Sequence, residues 1–310
     1  MRITKPRFID NDRGNNCNMD ITAGTIALTL IWGVAIGCIY MLLASGLNII
    51  FGVMKLVNFA HGQFLMIGAY LTWTISVAAG LNAYVAILVS MIVVAGLGVV
   101  IERLTFRRVL GGEKLNEIFV SLGLIYIFEN AALLIWGDQS QQIKSPFYDM
   151  SLKLSTISIT YDRIVAVFVV IAVLVGFGLL LYKTRIGLAM RATSQINKTA
   201  SLMGINVERI YMITFALGSA LAAAAGGLYG IIFSFNSQSG SMPTIIAFAI
   251  IILGGLGSIR GAIVGALLYG ITEQLATLFF GGIWSSAVAF VLLIVVLIIK
   301  PNGLFGEKGE

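Results

Sequence analysis

The chain has 310 residues, of which 58% are hydrophobic and 11% charged, where a soluble domain carries about 25% charged residues. Such a composition cannot coat a soluble fold of this length with polar surface. The formal net charge of +6 is no nucleic-acid signal, because the basic residues fall in short loops between apolar blocks, where membrane topology places them.

The apolar residues come in continuous runs such as 165–182 and 287–299, with no charge inside. Runs of this kind suit helices of roughly 20 residues crossing a bilayer, not the alternating strands of a membrane barrel. The expected fold is therefore all-α, a polytopic integral membrane protein. Arg2, Lys5, Arg7 and Arg13 precede the apolar run 21–43, which is too long for a cleaved signal core and is read as an uncleaved first helix. Met19 stands directly before it. Residues 1–20 are read as an extension and 21–310 as a single transmembrane domain, since no linker divides the chain. Cys17 and Cys38 suggest no disulfide framework.

In chain order, the pattern predicts spans near 24–44, 63–80, 82–101, 117–137, 163–182, 210–232, 242–257, 261–280 and 285–299. Segment 46–60 is a tenth apolar stretch, interrupted by Gly46, Gly52, Lys55 and Asn58. If it crosses, there are ten spans and the N-terminus is inside. If it is re-entrant, there are nine and the N-terminus is outside. Ten is the favoured reading. Loop 102–116 carries Arg103, Arg107, Arg108 and Lys114, and loop 183–209 carries Lys183, Arg185, Arg191, Lys198 and Arg209. Both are expected on the cytoplasmic side. Loop 138–162 and the uncharged segment 233–241 are expected outside.

Small residues recur every fourth position at Gly218, Ala222, Gly226 and Gly230, and again at Gly257, Gly261 and Gly265. Each set is expected to form one helix face that lets backbones approach. Asn58, His61 and Gln63 are costly in lipid and are candidates for a translocation path, as are the intramembrane acids Glu129 and Glu273. The alternatives are a solvated surface turn for the first three and a simple interhelical hydrogen bond for the acids, Glu129 for example beside Asn130. One histidine in the chain leaves no His-based metal site, no phosphate-binding loop of the G-x-x-x-x-G-K type occurs, and no nucleophile–His–acid set can be assembled. No catalytic residue, metal or cofactor is expected.

Five stretches together resemble the permease subunits of high-affinity branched-chain amino acid ABC transporters. They are GLNIIFGVMKLVNFAHGQFLMIGAY at 46–70, IERLTFRRV at 101–109, RIGLAMRATSQINKTASLMGIN at 185–206, GGLGSIRGAIVG at 254–265 and the tail KPNGLFG at 300–306. The resemblance implies a non-catalytic, multi-pass subunit of the bacterial inner membrane. Its partners would be a second homologous permease, two cytoplasmic ATPases and an external solute-binding protein. It also implies that loop 183–209 couples to the ATPase, through Arg185, Gly187, Arg191, Ala192, Ala200, Gly204, Ile205 and Asn206. Where the family often has an acid after the His–Gly pair, this chain has Gln63, and Arg108 and Arg260 stand where proline is common. The implied cargo is a small neutral solute, branched-chain or other hydrophobic amino acids first, with urea or short amides as the alternative. A proton-coupled secondary transporter using Glu129 or Glu273 is the competing class.

Overall fold

The computed structural model describes residues 23–148, 150–154 and 157–306. The expected extension 1–20, with Cys17 and Met19, lies outside them. The described elements run α1 (Ala23–Met54), α2 (His61–Ala78), α3 (Ala83–Ile101), a π-turn at Glu102–Phe106, α4 (Arg107–Val109) and α5 (Lys114–Trp136). A short antiparallel hairpin follows, β1 (Ser151–Leu154) and β2 (Ile157–Thr160). The chain continues through α6 (Tyr161–Lys183), α7 (Arg185–Gln195), α8 (Asn197–Leu202), α9 (Val207–Ile232), α10 (Ser241–Gly254), α11 (Ile259–Phe280) and α12 (Gly282–Ile299).

Seven of these helices are long and apolar enough to cross a bilayer: α1, α3 continued through α4, α5, α6, α9, α11 and α12. The chain is thus an all-α, polytopic membrane protein with one small hairpin. Helix α2 opens on the polar triplet His61-Gly62-Gln63, and α10 has only 14 residues. Helices α1, α2 and α9 pack together at the centre, with α3 along α9 and α11 along α1. Helices α5, α6 and α12 sit at the margin and keep most of their apolar surface exposed.

Two expectations are corrected. Segment 46–60 is not a separate crossing, because residues 46–54 are the last turns of the 32-residue α1. Lys55, at φ 53°, ends that helix, and residues 56–58 climb back without helical structure. The His61 ring lies beside Gly46, eight residues before Met54, so α2 starts about 12 Å inside the end of α1. Gly46 and Gly52 do not interrupt α1, because glycine inside a helix costs only about 1 kcal/mol and neighbours that pack against it override that. Nor is 233–241 a loop held wholly at the surface. Phe235 exchanges backbone hydrogen bonds with Gln141, at 2.8 and 2.9 Å, and is 1% exposed. Its ring meets Tyr70 of α2 edge-on, and Gly240 reaches the start of α2. An uncharged, Gly- and Ser-rich stretch can enter the bundle because protein groups there satisfy its backbone.

The basic loops gather at one end. Lys114 Nζ donates to the Lys55 carbonyl at 2.8 Å. Arg107 pairs with the buried Glu102 at 3.0 Å and with Glu208 at 3.5 Å, joining loop 102–116 to loop 183–209. The tail closes on the same end, Leu304 and Phe305 N–H donating to the Leu253 and Gly254 carbonyls. Helix α1 starts at the opposite end, where Arg163 stacks on Trp32 and β2 packs on α1.

Candidate translocation site

Two helix N-termini meet inside the bundle. Helix α2 follows the return at 55–60, and α10 follows the inward run 233–240. Each leaves its first N–H groups without a partner in its own helix and carries the positive end of a helix dipole. Gly62 N–H donates to Thr244 Oγ1 at 2.9 Å, and Thr244 Oγ1 in turn donates to the Gly240 carbonyl at 2.9 Å. A β-carbon at Gly62 would land on that carbonyl, so only glycine lets the two ends touch.

Glu129 of α5 stands in front of both ends. Its Oε1 accepts from Ser241 Oγ at 2.7 Å and from Gln63 Nε2 at 3.1 Å. Ser241 is the first residue of α10 and Gln63 the third of α2. The carboxyl group thus faces both helix starts through two neutral side-chain donors. Glu129 lies seven residues from Trp136 and fifteen from Lys114, roughly 10 and 22 Å along α5. Gln63 is fully buried, whereas Glu129 is partly exposed between the exposed Tyr126, Ile127 and Asn130.

Asn58 and His61 are fully buried beside this site, so the solvated surface turn is excluded. Asn58 Oδ1 accepts from Ala60 N–H at 3.0 Å and shapes the return, and the His61 ring lies between Gly46 and Phe64. Asn130 is not a partner of Glu129; it donates to the Tyr126 carbonyl. Glu273, 8% exposed on α11, faces the hydroxyls of Tyr40 and Ser286 and shares no partner with Glu129. The structure thus joins Gln63 to Glu129, places Asn58 and His61 at the return and start of α2 with other neighbours, and sets Glu273 apart.

Of the small-residue stripe on α9, Gly218 lies on Gly46 and Ile50 of α1, Ala222 is buried, Gly226 faces the Leu65 carbonyl of α2, and Gly230 faces Ile143 and Phe235. Gly261 and Gly265 of α11 face Gly254 and Ile250 of α10. Gly257 does not belong to that helix face. It precedes α11 at φ +85°, and its N–H donates to Asn48 Oδ1 at 2.8 Å.

Loop 183–209 folds into α7 and α8. Thr184 caps α7 through Gly187 N–H at 3.1 Å, and a β-carbon at Gly187 would strike the Leu181 carbonyl. Met190, Thr193 and Ala200 are buried, Ala192 and Ile205 half-buried, and Arg185, Arg191 and Gly204 exposed. Asn206 Oδ1 caps α9 through Arg209 N–H at 3.0 Å. Leu202 and Met203 are 86% and 79% exposed, so an apolar tip projects from the basic end.

Sequence reasoning missed Ser241 and Thr244. Their signal was the run Gly240-Ser241 followed by Pro243 at an apolar boundary, a helix-start pattern that was read as the edge of a loop. It also missed Asn48, which ties α1 to the turn before α11.

Comparison with known proteins identifies relatives over nearly the whole chain. The family model described as "Branched-chain amino acid transport system / permease component" matches residues 29–297. The high-affinity branched-chain amino acid transport system permease protein BraD of Pseudomonas aeruginosa is 33% identical over 90% of this chain and 95% of its own. The LivH permease protein of Salmonella typhimurium is 32% identical over 89% of this chain and 94% of its own. The LivM permease protein of the same organism is 25% identical over 86% of this chain and 67% of its own. With the match spanning nearly all the membrane helices, the chain belongs to the permease-component family of branched-chain amino acid transport systems.

Proposed function

We propose that this chain is one of two permeases in an ATP-driven importer of branched-chain amino acids, and that the solute passes along the face where α2, α5 and α10 meet. The observation that carries the path is Glu129. A carboxylate roughly 10 Å along a membrane helix cannot face hydrocarbon cheaply, and such groups face protein or a water-filled cavity. Here the group lies partly exposed on the margin of its own subunit, so another chain and a wet path must cover it in the assembly. Broken helices whose N-termini point into the membrane recur at transporter binding sites. A second permease is the fitting cover, since Salmonella typhimurium holds two matching permease proteins.

The basic end faces the cytoplasm, as its Lys and Arg residues require. That places the starts of both α1 and α6 outside, with four crossings, α1, α2, α3 and α5, before α6. The exposed tip at Leu202 and Met203, on capped short helices, is the surface that meets the ATPases. ATP hydrolysis belongs to those partners. Reconstitution tests the reading: the chain with a partner permease, its ATPases and a leucine-loaded binding protein takes up leucine only with ATP. Uptake by the chain alone, driven by a proton gradient, would contradict it.

A further inference from the structure

A second site, away from Glu129, lies at the basic end. Two adjoining cavities of about 270 and 820 Å³ share Gly52, Arg191, Ser194, Gly257 and Ser258 in their walls. Arg260 lines the first and Lys55 the second, and among the described residues no carboxylate lines either. Among the described residues none of the three cations joins a salt bridge; Lys55 and Arg191 rest only against the rings of Phe51 and Tyr182.

The first cavity also has a buried donor with nothing to donate to. Asn48 is fully buried and lines the cavity; its Oδ1 holds Gly257 N–H, while its Nδ2 has no partner. The N-terminus of the 22-residue α11 opens there too, at Ser258, Ile259 and Arg260. An orphan amide, a helix N-terminus and unpaired cations without a balancing acid together make an anion site.

We infer that this cleft binds a phosphate-bearing anion, through Asn48 Nδ2, the start of α11 and the Arg260 and Lys55 side chains. Two sources carry that chemistry at this depth. One is the headgroup of an anionic phospholipid, which basic pockets between membrane helices at the cytoplasmic side take up. The other is free phosphate. The cleft is walled by α7 on one side and by Pro301, Asn302, Phe305 and Gly306 of the tail on the other, so an occupant would brace α7 against the tail.

The test uses the full chain, purified in a neutral detergent and stripped of lipid. Its thermal unfolding is followed with added phosphatidylglycerol, phosphatidylcholine or inorganic phosphate. Two variants accompany it. Asn48→Asp keeps the acceptor for Gly257 and replaces the free donor by an anion; Arg260→Gln removes one cation from an exposed position. Saturable stabilisation by phosphatidylglycerol but not phosphatidylcholine, weakened at least 10-fold in apparent affinity in either variant, assigns a lipid headgroup. The same response to millimolar inorganic phosphate alone assigns the free anion. Equal response of wild type and Arg260→Gln, or no response to either probe, overturns the site. So does stabilisation that appears only with the ATPase present and ignores phosphate, for the cleft would then receive a partner's carboxylate. If Asn48→Asp does not fold, Arg260→Gln decides alone.

Discussion

Glu129 and Ser241 are 112 residues apart in the chain, yet the serine hydroxyl donates to the carboxylate at 2.7 Å. With Gln63 Nε2 on the same oxygen, this contact fastens the starts of α2 and α10 to the middle of α5. Among the described residues, no other hydrogen bond or ion pair joins α5 to α10.

Glu129→Leu should therefore loosen the site as well as block it. It leaves the half-buried Ser241 hydroxyl without its acceptor and the Gln63 amide with only its longer bond to Ser241 Oγ at 3.3 Å, a loss of about 1 kcal/mol or more. Glu129→Gln keeps an acceptor oxygen and should fold normally. Both variants are expected to lower leucine uptake at least 10-fold at equal membrane yield, and only Glu129→Leu should lower the melting temperature. Wild-type uptake by Glu129→Gln would show that its charge plays no part in the path.

The contact between α2 and α9 gives a packing prediction. A β-carbon at Gly226 would overlap the Leu65 carbonyl, whereas Gly123 on α5 has open space around it. Overpacking costs about 1–3 kcal/mol or more. Gly226→Leu should cut the yield of folded protein severalfold, and Gly123→Leu should not. Size-exclusion profiles at matched expression compare them, and equal profiles would refute the close approach.

At the coupling tip, Leu202→Asp changes a side chain that is 86% exposed and touches no buried group. Gly204→Glu adds strain at φ +83°, of the order of 1 kcal/mol. Both should leave the permease inserted and reduce uptake and substrate-stimulated ATP hydrolysis at least 10-fold. Leu202→Asp is the cleaner of the two, because its backbone is helical. Normal coupling in Leu202→Asp would move the ATPase contact elsewhere.

Sidedness follows from charge. Thiols introduced as Arg107→Cys and Asn197→Cys should resist an impermeant reagent in intact cells, while Tyr148→Cys, near the hairpin, should react. Reaction of Asn197→Cys from outside would invert the orientation. Asp149, the neighbouring position with more charge, lies outside the described residues.

Long apolar helices were legible because membrane burial writes an uninterrupted pattern. Helices α3, α5, α6, α9, α11 and α12 lie within a few residues of their predicted spans. What was not legible is depth. The runs 55–60 and 233–240 carry the Gly, Asn and Ser of ordinary turns, and nothing local tells a turn at the surface from one drawn into the bundle. The distinction rests on tertiary contacts, Phe235 on Tyr70 and Gly240 on Gly62. Glu129 and Gln63 were each legible as costly in lipid. That one oxygen joins them to Ser241 was not, because the pairing spans helices far apart in sequence.

The most direct measurement is the reactivity of a thiol at position 129 in the assembled importer, on a background with Cys17 and Cys38 replaced by alanine. A small, charged, membrane-impermeant methanethiosulfonate needs water and a thiolate to react. If the path runs along α2, α5 and α10, Glu129→Cys reacts with it, its rate changes between nucleotide states, and leucine-loaded binding protein alters that rate. A thiol that ignores this reagent in every state yet reacts with a lipophilic maleimide would lie against lipid, and the path along α2, α5 and α10 would be wrong.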